Sequence, residues 1–138
     1  MIVNPNPVTP LPFNGMWINR LHLSLVGASL ARATFLPYDG TNLLATGKQS
    51  ATGSLTEGVK DALVAKLKSL DNTFVTPITV DVQADDPTKP VKAMIRFTSG
   101  PPLIIPDCYA LCGTDPEFAQ VFSNTMADIA ALAGLEIE

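Results

Sequence analysis

The chain has 138 residues, a formal net charge of −4 and only 16% charged residues, against ~25% in an average soluble protein. This length fits one domain with its own hydrophobic core, and 46% of the residues are hydrophobic. No apolar run reaches the ~18 residues that cross a bilayer, so we expect no membrane partner. Because a subunit interface buries apolar surface that a single small domain leaves exposed, the composition predicts a homo-oligomer.

Charge is distributed unevenly along the chain. From Asp107 to the end there are six acidic residues and no Lys or Arg, so this part carries −6 and the preceding part +2. Without a basic stripe to neutralise phosphates, nucleic acid is not an expected partner. We expect Lys60, Lys66 and Lys68 to lie on the solvated side of a helix. The first residues lack the basic start and apolar segment of a secretion signal, which predicts a cytoplasmic or virion location.

Residues 1–15 contain Pro5, Pro7, Pro10 and Pro12, which favour an extended backbone and prevent a helix. The sequence therefore predicts a Pro-rich extended arm at 1–15 followed by a single α+β domain at 16–138. Two interpretations of the arm remain open. It is either a disordered leader or a segment that lies along its own or a neighbouring subunit, with Phe13 as an anchor.

Two short segments after the arm have the alternation of an antiparallel hairpin. In residues 16–25 apolar side chains point one way, while Arg20 and His22 point the other way, and residues 30–36 form the returning strand. A third short strand is expected at 43–45. Residues 46–53 are polar and contain Gly47 and Lys48, but their spacing does not fit a phosphate-binding loop, so a solvated loop is expected.

The middle of the chain predicts a helix and a second hairpin. Ser54 and Glu57 have the spacing of a capping box that opens a helix extending to about Leu70. Apolar residues then alternate with polar ones in 78–83 and again in 91–98, which predicts two paired strands. Residues 103–105 form a short strand or a crossing segment, and 107–113 form a single helical turn.

The last helix is delimited at both ends and carries almost no charge. Thr114 and Glu117 have capping-box spacing, Pro116 fits the first turn and Gly134 fits a left-handed stop, which predicts a helix over residues 115–133. One side is an apolar stripe that faces a core. The opposite side carries small or neutral residues: Gln120, Ser123, Asn124, Ala127, Ala130 and Ala131. This side is either solvated alanine or a second packed face, within the chain or against another subunit.

The predicted order is hairpin, helix, hairpin, helix, or ββα-ββα. It predicts an α+β fold in which an antiparallel sheet of four to six strands carries two helices on one face, as a two-layer sandwich. The other face of the sheet would be open to solvent or to a partner. The residues expected on that face are Arg20, His22, Arg32, Thr79, Asp81, Lys92 and Arg96.

Few residues in the chain suggest chemistry. One histidine and two cysteines, Cys108 and Cys112, cannot supply a four-ligand zinc site by themselves, so we expect no metal and no cofactor. The two thiols are predicted to be free and buried or half-buried, although an intrachain disulfide remains an alternative. A catalytic pairing of His22 with either cysteine is not expected, because they belong to different elements. We therefore assign no catalytic residue.

The best candidates for a ligand pocket pair an aromatic side chain with a carboxylate just after a strand. These are Tyr38 with Asp39, and Asp107 with Tyr109. Asp is also favoured in turns for hydrogen bonds to nearby backbone, so the same residues have a purely structural interpretation.

The low charge, the Thr-, Ala- and Gly-rich texture and the Pro-rich arm resemble, in composition only, those of small virion or prophage structural proteins. The favoured hypothesis is a non-enzymatic structural or protein-interaction module that self-associates and accepts other protein subunits. Its contact surface would be the low-charge side of the last helix or an exposed sheet edge. The alternative is a monomeric small-ligand-binding protein or small enzyme with a pocket near Tyr38, Asp39, Asp107 and Tyr109.

Overall fold

The computed structural model describes residues 12–13, 16–27, 29–39, 41–71, 75–86 and 88–134. These residues form an α+β fold, as predicted, with an antiparallel sheet and three helices. The strands are β1 (Pro12–Phe13), β2 (Met16–Ser24), β3 (Leu30–Pro37), β4 (Gln49–Gly53), β5 (Pro77–Gln83), β6 (Lys92–Phe97) and β7 (Leu103–Ile105), and the helices are α1 (Glu57–Asp71), α2 (Cys108–Thr114) and α3 (Pro116–Leu132).

Six strands form the sheet in the order β4-β3-β2-β5-β6-β7, and the two-residue β1 pairs with the start of β2. Each half of the chain thus contributes three consecutive strands, and the two halves meet where β2 pairs with β5. The predicted ββα-ββα order is only approximate. Each half has a third strand, and the second half has two helices instead of one.

Residues 46–53 differ from the prediction because they include an edge strand. β4 pairs with β3 from Ala31 opposite Gly53 to Phe35 opposite Gln49. The polar side chains of β4 do not show the apolar alternation that predicts a strand. Ala51 is nevertheless buried and points to the core. An edge strand with only one neighbour needs few apolar residues, so its pairing outweighs its weak strand propensity. The expected strand at 43–45 is reduced to one bridge between Tyr38 and Leu43.

The helices cover one face of the sheet. Leu63 and Leu67 of α1 and Phe122 and Met126 of α3 line a small internal cavity together with Leu21 and other side chains of β2, β5 and β6. Apart from Phe35, the core-facing residues of β3 and β4 are small: Ala31, Ala33, Ala51 and Gly53. Small side chains there let the end of α3 approach the sheet closely. The two-layer sandwich is confirmed.

The predicted final helix is present, but a different residue caps it. Asp115, and not Thr114, is the N-cap of α3, and its side chain accepts a hydrogen bond of 3.0 Å from the Phe118 backbone N–H. The Thr114 hydroxyl instead donates to carbonyl groups in α2. Gly134 has a φ of 71°, the left-handed conformation expected at a helix end.

Charged side chains connect α3 to α1 near both ends of α3. Lys66 Nζ of α1 lies 2.8 Å from Asp115 Oδ2 and 3.3 Å from Glu117 Oε1, at the start of α3. Near the other end of α3, Asp128 Oδ2 accepts a hydrogen bond of 2.7 Å from the Thr56 backbone N–H, just before α1. Lys66 is therefore buried between the helices, and the expectation that it lies on a solvated face is wrong.

The predicted arm falls mostly outside the described residues, which include only Pro12 and Phe13 of residues 1–15. The backbone of these two residues pairs with Trp17 and Met16 of the same chain. The predicted role of Phe13 as an anchor concerns its side chain, which lies outside the described part of the molecule. Of the helices described, none combines the length and apolarity needed to cross a membrane.

Candidate interaction surface

The face of the sheet that points away from the helices has no described element packed on it. Strand alternation and register place its side chains in rows that run across the strands. The central row places His22 between Arg32 on β3 and Asp81 on β5, and Asp81 lies opposite Met94 on β6. Further rows contain Arg20 with Gln83 and Lys92, and Ser24 with Thr79 and Arg96. We call this surface the sheet face.

The sheet face is predominantly basic. Four of the nine Lys and Arg residues in the chain lie on it: Arg20, Arg32, Lys92 and Arg96, all exposed. The matching carboxylate within the rows is Asp81, whose Oδ1 lies 2.6 Å from His22 Nδ1. At the margin, Arg20 Nη2 lies 3.3 Å from Asp85 Oδ1. The sequence-based assignment of residues to this face agrees with the strand register.

The edge of the sheet at β7 exposes apolar surface. Ile104 is 50% exposed, and β7 pairs only with β6 among the described strands. A shallow groove of about 400 Å³ lies beside this edge, lined by Leu70, Leu103, Ile104, Asp107 and Leu111 among others. This edge is short, three residues, which limits the backbone groups that it offers to another strand.

Tyr38 and Asp39, two of the predicted pocket residues, make structural contacts in the fold. Asp39 is exposed, and its Oδ1 accepts hydrogen bonds of 2.8 Å and 2.7 Å from the backbone N–H groups of Thr41 and Asn42. These two bonds lower the pKa of the Asp39 carboxyl. Tyr38 packs on Trp17, with ring centroids 5.1 Å apart. Asp39 thus has the geometry of a turn residue.

Asp107 and Tyr109 also have structural contacts. Asp107 is the N-cap of α2, and its Oδ1 accepts hydrogen bonds of 3.1 Å and 3.0 Å from the backbone N–H groups of Tyr109 and Ala110. The Tyr109 ring meets Phe122 edge-on at 6.4 Å. Asp107 also borders the groove beside β7, whereas Tyr38 and Asp39 do not line it. The four residues thus do not share that groove.

The residues predicted as an interface on α3 divide into two groups. Ser123 and Ala130 are buried within this chain, 3% and 1% exposed. Gln120 and Ala131 are exposed, and Asn124 and Ala127 are half-buried. Since α3 packs on both the sheet and α1, its second side is partly covered inside the molecule. Only a narrow strip of the predicted surface is accessible.

The cysteines are buried thiols on the helix side of the sheet. Cys108 and Cys112 are free, and they are 1% and 0% exposed. Burial raises the pKa of Cys108 to about 12 and that of Cys112 to about 11, so both are protonated at neutral pH. His22 points to the opposite side of the sheet, which keeps its imidazole away from both thiols. Within the described residues, no three His, Cys, Asp or Glu side chains are grouped as metal ligands.

Comparison of the chain with known protein families, with curated proteins and with solved structures finds no match.

Proposed function

We propose that the protein is a non-enzymatic structural or interaction module that self-associates, and that the sheet face is its contact surface between copies. The observation that carries this proposal is a six-stranded sheet with described helices on one face only. The other face presents Arg20, Arg32, Arg96 and Lys92.

The size of the sheet face suits a protein partner. Six strands spaced about 4.8 Å apart and about 20 Å long present a projected area of about 500 Å². This is the same order as the about 800 Å² of accessible surface that each partner contributes to a standard interface. A surface of this scale favours a macromolecular partner over a small molecule.

The residue types on the sheet face also favour a protein partner. Arg is enriched at protein interfaces, because its planar guanidinium forms paired hydrogen bonds with a carboxylate. Nucleic acid is the less suitable partner. Single strands bind proteins by stacking their bases on aromatic rings. The three rows of the sheet face contain no Phe, Tyr or Trp among their described residues.

The proposal is tested by the mass of the protein in solution. Light scattering after gel filtration at micromolar concentration should give a dimer or larger species for the wild type. The double variant Arg32→Gln with Arg96→Gln should shift to the monomer mass of about 14.6 kDa. The matched control removes two basic groups elsewhere, Lys48→Gln with Lys89→Gln, and should keep the wild-type mass. A monomeric wild type, or equal masses for both double variants, would overturn the proposal.

A second candidate function is the binding of a small apolar ligand in the groove beside β7. The groove of about 400 Å³ favours it, because this volume lies within the range of ligand pockets. The uncharged dye Nile red should then bind with one site per chain, and Ile104→Lys should abolish binding. Ile104 is half exposed, so the melting temperature should hardly change. Dye binding that is absent, or unaffected by Ile104→Lys, would exclude this function.

A further inference from the structure

The groove beside β7 lies between an open sheet edge and the helix layer. Its lining comes from β7, from α2 and from Leu70 near the end of α1. β6 pairs with one side of β7, and no described strand pairs with the other side. Extended peptides add to such an edge as a further strand and place their apolar side chains in the adjoining groove. The geometry therefore suits an extended segment of chain.

The groove is apolar, with one charged side chain in its lining. That side chain is Asp107, whose carboxylate already accepts hydrogen bonds from the backbone N–H groups of Tyr109 and Ala110. The rest of the lining is aliphatic except for Thr114, whose hydroxyl donates to carbonyl groups within α2. A segment that binds there should thus be uncharged and apolar.

Residues 1–11, which precede β1 and lie outside the described residues, have this composition. They contain no charged side chain, and their apolar side chains other than proline are Met1, Ile2, Val3, Val8 and Leu11. The prolines at positions 5, 7 and 10 favour an extended backbone before binding, so less conformational entropy is lost when the segment docks. Residues 2–4 precede the first of these prolines, so their backbone N–H groups are free to pair with β7.

The position of β1 brings this segment within reach of the groove in its own molecule. β3 pairs with one side of β2 at Met16 and Trp17, so β1 lies on the other side, in line with β5. The far side of β7 is three strand spacings from there, about 14 Å, and the level of Ile105 is about 13 Å along the strands. The straight path is thus about 20 Å. Extended chain from Val3 to Pro12 spans about 28 Å, which is enough.

We propose that residues 1–11 occupy the groove beside β7 of the same molecule, with residues 2–4 added to β7 as a strand. This inference goes beyond the proposed function, because it concerns a different surface and needs no second copy. A tethered segment has an effective concentration on the order of millimolar, so the same segment of a second copy at micromolar concentration competes poorly for the groove. A small apolar ligand would have to displace the segment.

The test measures access to the groove with a cysteine reporter. Ala110 is exposed and lines the groove, so Ala110→Cys places a reactive thiol there, whereas Cys108 and Cys112 are buried. Ala65→Cys, at an exposed position of α1 outside the groove, is the reference. Circular dichroism verifies that each reporter protein folds.

Each reporter is combined with three forms of the N-terminal segment. The first is the natural sequence. The second removes apolar side chains by Ile2→Ser, Val3→Ser and Val8→Ser. The third is the matched control, Asn4→Ser, Asn6→Ser and Thr9→Ser, which removes the same number of side chains but none that is apolar. The rate of labelling by a thiol-specific disulfide reagent is measured for each form.

The apolar substitutions should speed labelling of the Ala110→Cys protein several-fold, and the control should keep the rate of the natural sequence. The Ala65→Cys protein should label equally fast in all three forms. Equal rates for the Ala110→Cys protein in all three forms would overturn the proposal. Protection that appears only at high protein concentration would also overturn it, in favour of a segment supplied by a second copy. Self-association through the sheet face is tested separately, by the mass in solution.

Discussion

Lys66 Nζ lies 2.8 Å from Asp115 Oδ2, and the Lys66 side chain is only 10% exposed. This contact joins the middle of α1 to the cap of α3, so one carboxylate both caps a helix N-terminus and neutralises a buried ammonium group. The hydrogen bond with Asp115 raises the pKa of Lys66, and the same bond lowers the pKa of Asp115. The ion pair thus links the two longer helices of the helix layer.

Substitution of Asp115 should separate its two roles. Asp115→Asn keeps a good capping residue but removes the charge, so we expect a loss of about 1 to 2 kcal/mol in unfolding free energy. Asp115→Ala also removes the cap and should lose about 1 kcal/mol more. Urea denaturation at neutral pH measures both values. Asp61→Asn, at an exposed position of α1, is the control and should change little. An Asn variant as stable as the wild type would show that the ion pair contributes nothing.

The same pair should shape the pH dependence of stability. The folded pKa of Asp115 is lowered, so its contribution is present above the ordinary carboxyl pKa of about 3.9 and is lost as the pH falls through the lowered value. The folded pKa of Lys66 is raised, so its contribution is present below about 10.4 and is lost as the pH rises through the raised value.

We therefore expect the stability difference between wild type and Asp115→Asn to be constant from about pH 5 to about pH 10, because both groups of the pair are charged in that window. It should shrink at more acidic and more alkaline pH. Urea midpoints measured at one-unit pH intervals test this. A difference that persists unchanged at pH 2 would contradict the assignment.

Gly53 on β4 should resist a side chain. A Cβ built there would lie 2.5 Å from Leu132 Cδ2, at the end of α3. Gly53→Ala should therefore cost up to about 1 kcal/mol, because the half-buried Leu132 side chain must move its terminal methyl groups. Gly58 on α1 is the matched control, since a Cβ at that position would have no neighbouring atom within 4 Å. Gly58→Ala should be neutral or stabilising. Thermal unfolding of both variants measures the two effects. Equal melting temperatures would contradict the close approach of α3 to β4.

The two thiols should be unreactive in the folded protein. Cys108 and Cys112 are buried and their raised pKa values keep them protonated, so a thiol-specific disulfide reagent should label neither at pH 8. After denaturation in guanidinium, two thiols per chain should react within minutes. Rapid labelling of the native protein would show that α2 opens readily.

Periodicity was sufficient to predict most of the fold. The alternation in β2, β3, β5 and β6 predicts that His22 and Asp81 lie on the face opposite the core. The register adds that they lie opposite each other on β2 and β5. The sheet face could thus be predicted, because alternation fixes the direction of every second side chain.

The errors arose where tertiary contacts outweigh local signals. β4 lacks apolar residues because one neighbour and one buried alanine, Ala51, are enough to hold an edge strand. Lys66 follows a helical pattern that predicts solvent, but Asp115 and Glu117 approach it from α3. Local sequence contains no information on that approach. Asp39 has the structural role that turn chemistry alone predicts.

Methionine oxidation tests the central claim most directly, that a second copy covers the sheet face. Met94 lies in the central row of that face, opposite Asp81, whereas Met126 is buried in the core and serves as the internal control. Hydrogen peroxide oxidation of both residues is followed by peptide mass spectrometry at nanomolar and at high micromolar protein concentration. We expect Met94 to oxidise several-fold more slowly at the higher concentration while Met126 stays slow at both. A rate for Met94 that is independent of protein concentration would contradict the account.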